Sequence, residues 1–176
     1  MGQTNTIYLD CETRSEVDLK VCGDDVYARD PSTDCLCLAY AFNDEPISVW
    51  KMGEPCPMDI VIALHKNYRV VAHNVAFEWL IWKYVLEKKY GWPELKIENC
   101  DCTMIRAYAM ALPGSLDNAA HAVGLEHVKD QKGARVMMQL SQPRGDIING
   151  SGQKVGVTWY APHDFRDKFE QLYEYC

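Results

Sequence analysis

The first hydrophobic run of the chain, Thr6-Ile7-Tyr8-Leu9, closes on Asp10-Cys11-Glu12-Thr13. Residues two apart on a strand point to the same side, so a strand through this segment sets two carboxylates next to each other at its end. Their repulsion is costly unless something positive lies between them, and hard divalent cations prefer carboxylate oxygens. The segment therefore favours a fold in which an early strand delivers acids to one end of a sheet. Two surface acids near a strand end are the plain structural alternative.

The rest of the chain supplies elements to build around such a strand. Residues 5–10 read as the first strand. Residues 11–34, with Gly23, Asp24, Asp25, Pro31 and Ser32, read as a loop or short irregular insert. Residues 35–42 form a second strand, 43–46 a turn and 47–51 a third strand, which together suggest an antiparallel meander. A helix is expected over 58–66 and a short buried strand over 69–73. Asn74 is placed to cap a helix carrying Phe77, Leu80, Ile81, Tyr84 and Val85 at helical spacing, and Gly91-Trp92-Pro93 ends it. A fifth strand is expected over 96–101 and a helix over 104–112. Ser115 caps a further helix with an apolar face of Leu116, Ala119, Ala120 and Val123. Residues 129–163 read as irregular with a hairpin near Asn149-Gly150-Ser151-Gly152, and Asp164 as the cap of a last helix to Cys176. Strands alternating with helices in this order give an α/β domain with a mixed sheet.

Composition sets outer limits. The 176 residues fit one domain, and 48% hydrophobic against 24% charged residues is enough for a real core. No apolar run reaches the roughly eighteen residues of a membrane span, and residues 1–5 lack the basic-then-apolar pattern of a secretory leader. The formal net charge of −7 argues against a purely electrostatic nucleic-acid clamp. It is compatible with an enzyme that grips a strand through bound metal and a few local cations. The eight cysteines include Cys35-x-Cys37 and Cys100-x-Cys102, a spacing natural to one face of a strand, and are expected to be reduced and mostly buried.

Two further segments belong beside the acid pair. Ala72-His73-Asn74-Val75-Ala76-Phe77-Glu78 leads a strand into a helix with a carboxylate in its first turn, where the helix dipole favours negative charge. Leu172-Tyr173-Glu174-Tyr175-Cys176 ends an amphipathic helix in an aromatic stripe, whose ordinary fate is core packing. Histidines 65, 121 and 127 have no matched partner and read as structural.

Taken in order, Asp10-x-Glu12, Asn74-x-x-Phe77-Glu78 and a late helical tyrosine resemble the three motifs of DnaQ-like 3′→5′ exonucleases of the tyrosine-containing (DEDDy) kind. The resemblance is greatest to the proofreading domain of family A DNA polymerases in versions common in bacteriophage. It covers nearly the whole chain, and Cys102-Thr103-Met104, Leu112-Pro113-Gly114-Ser115-Leu116 and Lys129-Asp130-x-x-Gly133 share its flavour. It implies a ribonuclease H-like fold with a mixed five-stranded sheet flanked by helices, formed by one domain over residues 1–176. Two departures stand out. The second motif usually ends in Asp, where this chain has Glu78. The third, Tyr-x-x-x-Asp, would place its aspartate just past Cys176 if Tyr175 is its tyrosine, so either the sequence is a piece of a longer polymerase or one ligand is missing. Tyr160-Ala161-Pro162-His163-Asp164 has the same spacing, but Pro162 disfavours a helix across it.

The resemblance implies hydrolysis of a terminal phosphodiester of DNA with release of a nucleoside monophosphate, assisted by two Mg²⁺ or Mn²⁺ ions. Asp10, Glu12 and Glu78 would hold the metals and Tyr175 would orient the attacking water. Thr13, Asn74 and Phe77 would contact the terminal nucleotide. Arg14, Lys129, Lys132, Arg135 and Arg144 are candidate phosphate contacts. The implied partners are a single-stranded DNA 3′ end and a C-terminal polymerase domain, with no membrane, in the cytoplasm (that of the host for a phage protein). The alternative is a non-catalytic module of the same fold that binds a nucleic-acid end or a protein. A ribonuclease H-like enzyme cutting inside strands ranks below both.

Overall fold

The computed structural model describes residues 5–125 and 130–176. Its first strand, β1 (Thr6–Arg14), runs four residues beyond the expected 5–10. Ile7, Leu9, Cys11 and Thr13 are buried on one face, while Tyr8, Asp10, Glu12 and Arg14 lie on the other at intermediate to full exposure. This strict alternation places both acids on one side, as their spacing requires.

β1 sits at the centre of a five-stranded sheet of order β3-β2-β1-β4-β5. β2 (Asp34–Phe42) and β3 (Ser48–Lys51) are antiparallel, giving the expected meander. β4 (Arg69–Ala72) and β5 (Cys100–Cys102) are parallel to β1, so the sheet is mixed. β5 starts later than the expected 96–101, because a 3₁₀ turn over Ile97–Asn99 occupies the intervening residues. The β1–β2 register steps between Glu12 and Thr13: Glu12 faces Cys37 and Thr13 faces Cys35, which leaves Leu36 as an extra residue. This is a β-bulge, a device that bends a strand and re-aims a side chain.

Two stretches expected to be irregular are helical. α1 (Leu19–Arg29) lies inside the 11–34 segment; Asp18 caps it by accepting from the Lys20 N–H, and it bends at Gly23, whose φ is 77°. That break, together with only Tyr27 and Ala28 buried along it, erases the helical period a sequence reading relies on. α7 (Gln131–Leu140), capped by Asp130, lies inside the 129–163 segment. Beyond it the expected hairpin is present as β6 (Gly145–Ile148) and β7 (Lys154–Thr158). The remaining helices follow the sequence closely: α2 (Met58–His65), α3 (Val75–Ile81), α4 (Glu87–Tyr90), α5 (Thr103–Ala109), α6 (Leu116–Ala122) and α8 (Arg166–Tyr175). α3 and α4 are joined by a π-helical turn over Trp82–Leu86. Phe165, not Asp164, occupies the cap position of α8. Ser115 caps α6 as expected, accepting from Asn118. The apolar face of α6 is not packed away: Leu116 and Val123 are exposed.

The core has two parts. The larger packs Ile7, Leu9, Leu38, Trp50, Val70 and Ile81 with the helices on one face of the sheet. Within it Trp82, Trp92 and Trp50 meet edge to face at 5.0 and 5.1 Å, and Tyr90 adds to Trp50 at 5.2 Å, the geometry that aromatic quadrupoles favour. The smaller core joins Leu36 and Cys37 of β2 to Leu140, Phe169 and Leu172 of α7 and α8. Burying those side chains draws the last helix across the acid-bearing face of β1. All eight cysteines are free thiols, four of them buried. No helix among the described residues is long and apolar enough to cross a membrane.

Candidate active site

β4 pairs with only Thr6–Tyr8 of β1, so past Leu9 the β4-facing edge of β1 has no strand partner among the described residues. The start of α3 fills that end of the sheet. Asp10 and Glu12 stand on this unpaired stretch, where the parallel strands β1 and β4 finish, the usual position of sites in open α/β sheets.

Asp10 is open to solvent by area yet closely surrounded by protein. The lost hydration raises its carboxyl pKa, while a backbone N–H at Cys11 and the nearby charge of His73 act in the other direction. Glu12 is half-buried. Glu78 is 4% exposed. Its burial pushes the carboxyl up to about 8; its own backbone N–H opposes this, and the charge of Asp10 adds to it. Oε2 of Glu78 is buried with no hydrogen-bond partner. Carboxylate oxygens of this kind are the hard donors that Mg²⁺ and Mn²⁺ prefer. Among the described residues no three His, Cys, Asp or Glu side chains stand close enough to form a ready cation cage.

Tyr175 comes from the far end of the chain. It is half-buried, and its phenol pKa is raised first by lost hydration and then by the charges of Glu12, Asp10 and Asp130. Those charges place its hydroxyl within electrostatic reach of the acid pair. Gly133 of α7 lies directly against its ring. Cys176 reaches back as well, with its Sγ 3.9 Å from the Asp10 carbonyl oxygen.

Two grooves meet at β1. One, of about 630 Å³, is lined by Glu12, Thr13, Phe77, Met137 and Met138. The other, of about 690 Å³, is lined by Asp10, Leu116, Asp130 and Tyr175. Phe77 thus lines a groove while also packing on Tyr27 at 6.0 Å. Thr13 is buried, and its hydroxyl shares a 2.9 Å hydrogen bond with that of Tyr27. Asn74 stands at the cap position of α3 in a left-handed conformation (φ 69°) and makes no side-chain capping bond. The expected cap is therefore absent, and the Asn74 amide is not tied down in that way.

Of the candidate phosphate contacts, Arg14 pairs with Asp34 at 3.4 Å. Lys132 and Arg135 lie on α7, and Arg144 lies beside the hairpin. Lys129 and His127 lie outside the described residues. The decoy Tyr160–Asp164 is not helical. Tyr160 packs on Phe165 at 4.8 Å, and Asp164 lies 3.5 Å from His163.

His73 was missed as a site residue, although it sits within the second motif. Its Nδ1 is 3.0 Å from the Thr103 hydroxyl and its Nε2 is 2.7 Å from the Gly114 carbonyl. The carbonyl can only accept, so Nε2 carries a proton. His73 thereby ties the end of β4 to the starts of α5 and α6, beside Asp10. The signal was a histidine next to the motif asparagine, but its partners lie thirty and more residues away.

The described residues adopt a ribonuclease H-like α/β fold with a mixed five-stranded sheet flanked by helices. Over 98% of its length the chain superposes on part of the family B DNA polymerase of the archaeon Pyrobaculum calidifontis, with a TM-score of 0.53 and 13% identity, covering 23% of that chain. In sequence it is 30% identical over 174 residues to the DNA polymerase of Bacillus phage SP02; the match takes in 97% of this chain. The chain spans about a quarter of that relative's length (26%). No protein-family model matches the sequence.

Proposed function

We propose that this chain is the 3′→5′ exonuclease part of a DNA polymerase, hydrolysing the terminal phosphodiester of a single-stranded DNA 3′ end with divalent metal. The observation that carries the reading is the placement of Asp10 and Glu12 on one face of β1 beyond its pairing with β4, with the charge of Asp10 reaching the buried Glu78 carboxyl, whose Oε2 has no hydrogen-bond partner. The likeness to a phage DNA polymerase over nearly the whole chain supports it.

Asp10, Glu12 and Glu78 would hold Mg²⁺ or Mn²⁺, which supplies a low-pKa water and neutralises phosphate charge. Glu78 would have to give up its proton to hold a cation, since an adjacent positive charge reverses the effect of burial on a carboxyl group. Tyr175 keeps its proton at neutral pH, because burial and the neighbouring acids raise its pKa. Its hydroxyl can therefore donate to one partner and accept from the attacking water. Asn74 offers an untethered amide, Phe77 an apolar wall for the terminal base, and the backbone around Thr13 the groove floor. The strand would cross from one groove to the other over the acid pair.

The test is release of nucleoside monophosphate from 3′-labelled single-stranded DNA in Mn²⁺. Release abolished by chelation and by Asp10→Ala is expected. No release in Mn²⁺, from this sequence or one extended past residue 176, rejects the reading. A second reading is favoured by the lack of a ready three-ligand cage among the described residues: a non-catalytic module binding strand ends. Calorimetry separates the two, since two-ion Mn²⁺ binding lost in Asp10→Ala contradicts the second.

A further inference from the structure

Beside the hairpin, the acidic chain concentrates cations and aromatic rings. Arg144, just before β6, holds its guanidinium 5.0 Å from the Phe165 ring and 5.9 Å from that of Tyr160. Lys168 of α8 places Nζ 5.3 Å from Tyr160 and 5.9 Å from Phe165. The two rings meet edge to face at 4.8 Å. Gln139 of α7 locks the arrangement, accepting from Lys168 at 2.7 Å and donating to the Tyr160 hydroxyl at 3.1 Å.

Among the described residues neither cation has a carboxylate within ion-pair distance. The ion pairs nearby join other residues: Arg14 with Asp34, Lys51 with Glu170, Lys154 with Glu16 and Asp146, and His163 with Asp164. Arg144 is exposed. A guanidinium resting its face on a ring keeps its N–H edge free, the edge that matches two phosphate oxygens.

The cluster is continuous with the acid pair. Arg14 lies on the same face of β1 as Glu12 and Asp10. Its guanidinium stacks on Trp159 at 4.9 Å and donates to the Tyr160 carbonyl at 3.3 Å. One strand step past Glu12 therefore leads to the aromatic platform.

We propose that Arg144 and Lys168, held on Tyr160 and Phe165, form a second site for the phosphodiester backbone of single-stranded DNA. There the site holds the part of the strand away from its reacting end. The inference deepens the exonuclease reading, because it adds a contact to the same substrate, but it needs no metal and no cleavage. Binding should be independent of base sequence, since phosphate contacts carry no sequence information.

The test measures binding of a fluorescent oligothymidylate to the full chain in EDTA, as a function of salt, for the parent and for Arg144→Gln/Lys168→Gln. The double variant should bind about tenfold more weakly at moderate salt, with the slope of log affinity against log salt reduced by about 1.4, the contribution of two single-strand phosphate contacts. Arg144→Lys, which keeps the charge but loses the stacked planar fork, should keep the parent's salt slope at somewhat lower affinity, and guards against a folding defect. Equal affinity and salt slope in parent and double variant, or no binding by the parent, would overturn the proposal. Loss of strand affinity in the variant supports it even where the parent cleaves nothing, so its failure and that of the exonuclease reading are separable.

Discussion

Gly133 of α7 and Tyr175 of α8 touch where only a hydrogen atom fits: a Cβ at 133 would stand 2.5 Å from Cδ2 and 2.7 Å from Cβ of Tyr175, and 2.6 Å from Oδ2 of Asp130. Glycine inside a helix ordinarily costs roughly 0.5–1 kcal/mol relative to alanine, so Gly133→Ala would stabilise an isolated α7. Overpacking costs about 1–3 kcal/mol, and the atoms met include the rigid root of a ring side chain. Gly133→Ala should therefore destabilise the fold by about 1 or 2 kcal/mol in denaturant titration. Under the proposed exonuclease reading it should also lower kcat more than it raises KM, because the displaced ring would orient the attacking water and would not bind the strand.

Glu78 makes the metal-free protein sensitive to pH. Its folded pKa is raised to about 8 from an ordinary 4.5, so the folded chain holds a proton that the unfolded chain releases. The stability linked to this group is complete below about pH 4.5 and declines as pH rises toward 8. The span amounts to a few kcal/mol, on the order of 1.4 per pH unit at most. Chemical unfolding in EDTA at pH 5 and pH 8 should show this loss, and Glu78→Gln should flatten it. An unchanged slope in the variant would rule the group out as its source.

Asp10→Asn should separate stability from activity. The charge of Asp10 is one of the causes that raise the Glu78 pKa, so the metal-free variant should be more stable at pH 8, by no more than about 1 kcal/mol because Asp10 is open to solvent. Mn²⁺-dependent mononucleotide release should be lost in the same variant. Melting temperatures in EDTA, set beside an activity assay, check both signs.

Two tryptophans that look equivalent should respond differently. Trp82 and Trp92 are both nearly fully buried and meet edge to face. Trp82 donates Nε1–H to the Pro93 carbonyl at 2.9 Å, whereas Nε1 of Trp92 is buried without a partner. Replacing Trp92 by Phe removes an unsatisfied donor, while replacing Trp82 by Phe orphans a carbonyl. Both create similar voids, so Trp92→Phe should cost about 1 kcal/mol less than Trp82→Phe, measured as a difference in denaturant midpoints at equal slope.

Much of this was legible before any coordinates. The two-residue step of a strand put Asp10 and Glu12 on one face, although the strand was expected to stop at residue 10, and the meander through Lys51 followed from short turns between apolar runs. What escaped was set by long-range packing. α1 hid because Gly23 splits it and its outer residues stay exposed. α7 hid because Gly133, a helix breaker in isolation, is there to admit the Tyr175 ring. Asn74 looked like a cap, yet it adopts a left-handed conformation. The cationic rings at Arg144 and Lys168 join residues from α7, the hairpin and α8, which no local pattern connects. The π-helical turn at Trp82–Leu86 likewise has no sequence signature we recognise.

Cys176 touches the carbonyl of Asp10 across 166 positions of sequence. A chain emerging from the ribosome therefore presents Asp10 and Glu12 long before the helix that comes to lie beside them. Under the exonuclease reading the site would stay latent through synthesis and mature only when α8 docks, so whatever delays that docking would also delay the chemistry.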